Sequence, residues 1–304
     1  MIELALFIGS LAFLVKSAEV FTEKAEKLGL WLKIPSFIVG VTIVAVGTGM
    51  PELASSLAAV WHGSPSIVMS SIIGSNIANI LLILGVAALL LKREHKFKHD
   101  ILHGDITFLI MAALLLGIVI SDGNVSNIEA ALLFIGYGIY ALYNYGLNKK
   151  NKEKKREVSF SAIDGIALIV SVAIIVIASD VFIGSALNIA EKYNIGVEVM
   201  GLVGIAIGTS LPELAVAISA VKKGNVEMAF GSVSGSNIFN TFVVASVPKL
   251  LGNITFPTAL LSGPYMYLLL ASAVFLSVAL DKKIHKYEGA MLLLLYAFFI
   301  VHSI

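Results

Sequence analysis

The chain has 304 residues, 58% of them hydrophobic and 13% charged, with a mean hydropathy of +0.94 and a net charge of +1. That is too apolar for a soluble globular domain, and the balanced charge offers nothing for nucleic acid to bind. Without a cysteine there are no disulfides and no thiolate metal sites.

About 20 apolar residues cross the ~30 Å hydrocarbon core of a bilayer. Stretches of that kind lie at 1–20, 35–61, 67–91, 104–121, 127–147, 160–184, 197–221, 226–250, 258–280 and 286–304. They predict an all-α integral membrane protein with ten transmembrane helices, embedded in lipid and with no obligatory protein partner. The first stretch opens Met1-Ile2-Glu3, without a basic leader or a small-residue cleavage site, so it is read as a retained helix. Lys and Arg concentrate in alternate connections: Lys24, Lys27 and Lys33; Lys92, Arg93, Lys96 and Lys98; the run at 149–156; Lys222 and Lys223; Lys282, Lys283 and Lys286. Basic loops stay in the cytoplasm. The expectation is a multi-pass protein of the cell membrane, with both termini outside and the 148–158 linker cytoplasmic.

The linker divides the chain into a first five-helix repeat, 1–147, and a second, 159–304. Gly-Thr-Gly-Met-Pro-Glu-Leu-Ala at 47–54 returns as Gly-Thr-Ser-Leu-Pro-Glu-Leu-Ala at 208–215, and Gly-Ser-Asn-Ile-Ala-Asn at 74–79 returns as Gly-Ser-Asn-Ile-Phe-Asn at 235–240. Ala18-Glu19-Val20-Phe21 aligns in the same way with Ser179-Asp180-Val181-Phe182. Five spans per half place the second half upside down relative to the first, the inverted-repeat plan of secondary transporters. Function is therefore expected on spans 2, 3, 7 and 8, with spans 1 and 6 the elements that move.

The repeated residues are polar at membrane depth. Pro51 and Pro212 each remove a helix donor and crowd the carbonyl four residues back, at Gly47 and Gly208, which loosens the backbone and frees carbonyl oxygen there. Glu52 and Glu213 follow directly. An ionisable group in mid-span costs ~2.5–3.5 kcal/mol on insertion scales and marks an ion pathway; no basic residue shares their depth in the neighbouring spans, which leaves a cation, a proton or each other to manage the charge. Thr48 and Thr209 precede the glutamates by one turn. Ser75 with Asn79, and Ser236 with Asn240, are i,i+4 pairs that present a hydroxyl and an amide together. Asn76 and Asn237 suit interhelical hydrogen bonds. Glu19 and Asp180 fit interfacial positions near opposite faces, and the six histidines fall in connections or near helix ends. The gathered ligands are all oxygen, which suits calcium, with its ~6–8 oxygen ligands, better than softer metals.

These motifs resemble the two alpha-repeats of the calcium/cation antiporter superfamily, in its sodium/calcium exchanger branch, over the whole chain. The resemblance implies a transporter rather than an enzyme, with no cofactor. It would exchange sodium for calcium by alternating access as the first and sixth helices slide. It further implies that Glu52 and Glu213 are shared calcium and sodium ligands, with Thr48 and Thr209 in the calcium site and Asn79 and Asn240 flanking the centre. Ser75 and the Ala45 carbonyl would form one sodium site, and Ser210, Ser236 and the Ala206 carbonyl the other. Two positions depart from the pattern: Gly49 stands where the family usually has serine, removing a hydroxyl from a sodium site, and Asn240 stands where several relatives, potassium-dependent ones included, have aspartate. The competing readings are a proton/calcium or other cation exchanger, a passive cation channel and, least of all, an intramembrane enzyme.

Overall fold

A computed structural model describes residues 2–32, 45–91, 94–96, 101–148, 159–222, 224 and 226–303. The start of the second predicted span, nearly all of the 148–158 linker and several of the basic residues used for orientation lie outside the described residues.

The described chain is mostly helix, and each of the ten apolar stretches contains some. The first half comprises α1 (Ile2–Trp31), α2 (Ala45–Thr48), α3 (Met50–Trp61), α4 (Ser66–Ile77), a π-helical turn (Ala78–Ile83), α5 (Leu84–Leu89), α6 (Ile101–Val119) and α7 (Asn127–Asn148). In the second half come α8 (Ala162–Lys192), α9 (Val197–Val199), a π-helical turn (Met200–Ile205), α10 (Ala206–Thr209), α11 (Leu211–Lys222) and α12 (Val226–Phe239). A third π-helical turn (Asn240–Val244), a 3₁₀ turn (Val247–Leu250), α13 (Ala259–Ser262), α14 (Pro264–Asp281) and α15 (Lys286–Ser303) complete it. Among the described residues, four helical segments are long and apolar enough to cross a membrane on their own: Ile2–Trp31, Ser66–Leu89, Ala162–Lys192 and Ala259–Asp281. A fifth qualifies if Val197–Thr209 and Leu211–Lys222, bent by 41°, are one broken span.

The repeat seen in the sequence reappears in the helix boundaries. The break between α2 and α3 at Gly49 falls at the same motif position as the break between α10 and α11 at Ser210, and α3 and α11 have the same length. The break follows from the proline at the second position of α3 and of α11, which is tolerated at a helix start and not in its interior. At the break the Ser210 N–H donates to the Ala206 carbonyl at 3.1 Å, one turn back.

Among the described residues, the long helices α1 and α8 make the most extensive helix pair. Each measures about 45 Å at 1.5 Å per residue, more than the hydrocarbon core requires. They run antiparallel: Lys27 Nζ reaches Asp164 Oδ2 (2.6 Å) at the start of α8, and Asn188 Nδ2 donates to Glu3 Oε2 (3.2 Å) at the opposite end. Between these ties the Phe7 and Phe182 rings stack at 4.7 Å. Asp164 also closes a capping box with Ser161. The outer face of α8 leaves Ile163, Ile166, Ile169, Val176 and Ile177 exposed, an apolar surface suited to lipid rather than water.

The segment Ser66–Leu89, by contrast, is 83% buried over its most apolar window, so it occupies the centre of the bundle. Two two-residue ribbons, beyond the all-α expectation, join the halves. His95–Lys96 (β1) pairs antiparallel with Lys283–Ile284 (β4), and Asn124–Val125 (β2) with Ile254–Thr255 (β3). Each ribbon links two connections that the basic-residue pattern assigns to the same side of the membrane. Loop segments this short give no period-2 pattern to read.

Candidate functional site

The polar residues of the repeated motifs meet in one buried cluster built from both halves. Glu52, in the first turn of α3, is 5% exposed, and Glu213, in the first turn of α11, is 1% exposed. Each carboxylate meets residues of the other half: Thr209 and Ser210 lie beside Glu52, and Thr48 lies beside Glu213, which Ser236 of its own half also joins. The two carboxylates are also close enough to act on each other electrostatically. Ser236 Oγ donates to Glu213 Oε1 at 3.3 Å, while Glu213 Oε2 and both oxygens of Glu52 are buried without a hydrogen-bond partner. No ion pair to either carboxylate exists among the described residues. Unpaired carboxylate oxygen in such a place costs several kcal/mol unless a cation or a proton neutralises it.

Most serines in these helices return their hydroxyl to a carbonyl one turn back, as Ser70, Ser71 and Ser246 do. The site serines depart from that habit. Ser236 turns to Glu213, Ser210 Oγ is buried without a partner, and Ser75 Oγ donates to the Ala206 carbonyl at 3.4 Å. Ser75, grouped with Ala45 by the family resemblance, is thereby tied to Ala206 of the other half. Ala45 opens α2, one turn before Thr48. Thr209 Oγ1 points back to Ile205 and Ala206 carbonyls at 3.1 and 3.4 Å, so its carbonyl-bound hydroxyl still has its oxygen lone pairs available.

Four asparagines join α4 to α12 and the turns that follow them. Asn79 Nδ2 donates to Asn237 Oδ1 (2.9 Å), Asn237 Nδ2 to the Asn76 carbonyl (3.1 Å) and Asn240 Nδ2 to Asn76 Oδ1 (3.2 Å). Asn76 Nδ2 in turn donates to Thr241 Oγ1 (3.1 Å). The interhelical role expected of Asn76 and Asn237 is therefore met, and Asn79 and Asn240 share it through their nitrogens. Their oxygens are left over: Asn79 Oδ1 and Asn240 Oδ1 are buried with no partner. Asn79 lies within one π-helical turn and Asn240 opens another, a distortion that recurs at functional sites.

Close helix contact supports the cluster. A Cβ on Gly74 would run into the Leu202 carbonyl oxygen and stand 2.8 Å from Ala206 Cβ, so glycine lets α4 lie against the turn that leads into α10. At Gly47 a Cβ would collide with the Thr22 side chain of α1, which ties the helix break to the α1–α8 pair.

Thr241 was not a candidate from the sequence, because its counterpart in the first repeat is Ile80 and comparison of repeats passes over it. The same filter hides Ser55 and Ser56, buried hydroxyls without partners one turn past Glu52, whose counterparts are Val216 and Ala217. Glu19 and Asp180 lie away from the cluster, paired with Lys16 (2.7 Å) and His62 (2.9 Å), respectively.

The chain matches the family described as "Sodium/calcium exchanger protein" over residues 2–146 and again over 164–304. Among curated relatives, "Inner membrane protein YrbG" of Escherichia coli is 34% identical over 89% of this chain and 86% of its own. "Sodium/calcium exchanger MaX1" of Methanosarcina acetivorans is 31% identical over 96% of this chain and 95% of its own. A solved structure of the sodium-calcium exchanger NCX_Mj, soaked with sodium and strontium, superposes with a TM-score of 0.71 at 25% identity, covering 99% of this chain and 98% of that one. On these matches the chain belongs to the sodium/calcium exchanger protein family, a family of transporters rather than enzymes.

Proposed function

We propose that the protein is a secondary active antiporter of the cell membrane that exchanges sodium for calcium by alternating access. The observation that carries this reading is the meeting of Glu52 and Glu213, one from each half, in a buried, oxygen-lined cluster with unpartnered carboxylate oxygens. Two carboxylates balance one calcium ion, and the surrounding hydroxyl and amide oxygens supply the hard ligands it takes.

In this reading Glu52 and Glu213 bind calcium and sodium in turn. Thr48 and Thr209 complete the calcium site, and Asn79 and Asn240 flank it. The Ala45 and Ala206 carbonyls, with Ser75, Ser210 and Ser236, hold sodium. Without a bound ion the two carboxylates face each other desolvated, so the unloaded protein resists reorientation and exchange is obligatory. The two halves form inverted five-helix repeats within a ten-helix bundle, a reading supported by the antiparallel run of α1 and α8. The α1–α8 pair, linked to the site through Thr22 and Gly47, is the moving body. The termini face outward and the linker inward, in keeping with the Lys and Arg distribution.

The test is radioactive calcium uptake into sodium-loaded proteoliposomes diluted into sodium-free buffer, with potassium-loaded and pH-gradient vesicles beside them. Uptake that requires internal sodium is the expected result. Uptake driven by the pH gradient would assign the protein to proton/calcium exchange, and uptake without any counter-ion would make it a channel.

A further inference from the structure

The asparagine network has a built-in direction. A backbone carbonyl can only accept a hydrogen bond, whereas an amide side chain offers a donor at one end and an acceptor at the other. Because Asn237 Nδ2 donates to the Asn76 carbonyl, its Oδ1 has to face Asn79, and Asn79 has to answer with its nitrogen. The Asn79 oxygen is then the end left over, fully buried and without a partner. Turning the Asn79 amide over would set its oxygen against Asn237 Oδ1. Turning Asn237 as well would set oxygen against the Asn76 carbonyl.

The other branch lacks such a stop. It runs from Asn240 to Asn76 Oδ1 and from Asn76 Nδ2 to Thr241 Oγ1. A hydroxyl both donates and accepts. With Thr241 donating to Asn76 Oδ1 and Asn76 Nδ2 donating to Asn240 Oδ1, every bond is kept and Asn240 presents its nitrogen instead.

We propose that Asn237 is a positioning residue that locks the Asn79 amide with its oxygen available to a cation, and that Asn240, whose branch ends on Thr241, is the reversible partner. The inference rests on the cation-site reading above. Asn79 is a permanent acceptor, while Asn240 offers oxygen to a bound cation or, turned over, N–H to a neighbouring oxygen. Such a division gives the two related halves different roles although their asparagines match in sequence.

The experiment measures equilibrium calcium binding to the purified protein, together with KM and turnover for sodium-driven calcium uptake. Asn237→Leu removes both ends of the lock at similar size, and Asn237→Asp, protonated on the oxygen that faces the Asn76 carbonyl, keeps that donor and the acceptor that Asn79 needs. Thr241→Val removes the hydroxyl of the reversible branch. The expected result for Asn237→Leu is a calcium Kd and KM raised at least tenfold, with turnover within threefold of the wild type. Asn237→Asp brings both back to within threefold, and Thr241→Val stays within threefold throughout. If Asn237→Leu does not fold, Asn237→Ala is judged by the same criteria.

An unchanged Kd in the leucine or alanine variant would overturn the proposal, as would an aspartate variant equally impaired. A Thr241→Val effect as large as that of Asn237→Leu would overturn the asymmetry. Wild-type uptake that ignores sodium would sink the antiport reading and leave the comparison of Kd values intact. Wild-type protein that binds no calcium would end both.

Discussion

Glu213→Gln keeps the size and hydrogen-bonding reach of the side chain and removes one of two charges from the cluster. Its consequences have opposite signs with and without calcium. Glu213 is 1% exposed, its Oε2 has no partner, and Glu52 close by has none for either oxygen. Solvent therefore does little to screen what calcium gains there. Removing one member of a buried charge pair costs about 3–5 kcal/mol. At 1.4 kcal/mol per decade the calcium Kd should rise roughly 10²- to 4 × 10³-fold. In the ion-free protein the same change removes a desolvated charge and its repulsion from Glu52, so the unfolding midpoint in chelator should rise. The assay is calcium binding by isothermal titration, paired with thermal unfolding in chelator and in saturating calcium. A Kd within threefold of the wild type would refute the reasoning, and so would a midpoint that falls in chelator, which would show Glu213 to be a structural acid.

Three further outcomes follow from the packing. Gly74→Ala places a methyl group against the Leu202 backbone carbonyl, which cannot rotate aside; overpacking of about 1–3 kcal/mol is expected, seen as a lower unfolding midpoint and at least tenfold slower calcium uptake. Gly47→Ala meets the Thr22 side chain first, so it should impair uptake alone and recover when combined with Thr22→Ala, as a double-mutant cycle of uptake rates will show. Gly49→Ser restores a hydroxyl at the position matching Ser210 and is expected to lower the sodium concentration giving half-maximal calcium uptake about two- to fivefold, read from a sodium titration of the uptake rate.

Much of the site was legible because the two halves repeat the same polar residues at membrane depth. Glu52 and Glu213 stand out as ionisable groups in apolar stretches without a basic partner, and the cluster brings them together across the halves. The helix break was legible too, since Pro51 and Pro212 dictate it. Comparison of repeats is blind wherever the halves differ. It passed over Thr241, opposite Ile80, and Ser55 and Ser56, opposite Val216 and Ala217. Nor could spacing alone say which end of each asparagine would be used, because amide orientation is decided by partners on another helix. The crossing of Ser75 to the Ala206 carbonyl is likewise a contact between halves, invisible to any pattern within one of them. The small ribbons at His95–Lys96 and Asn124–Val125 were missed for a simpler reason, since two residues carry no period.

Whether one pocket serves both ions in turn is tested by calcium binding to the purified wild-type protein at a series of sodium concentrations, with potassium replacing sodium at constant ionic strength. If the ions compete for one pocket, sodium raises the apparent calcium Kd progressively while the number of calcium sites stays the same. A calcium Kd indifferent to sodium, or sodium that lowers the number of sites without changing the Kd, would contradict it.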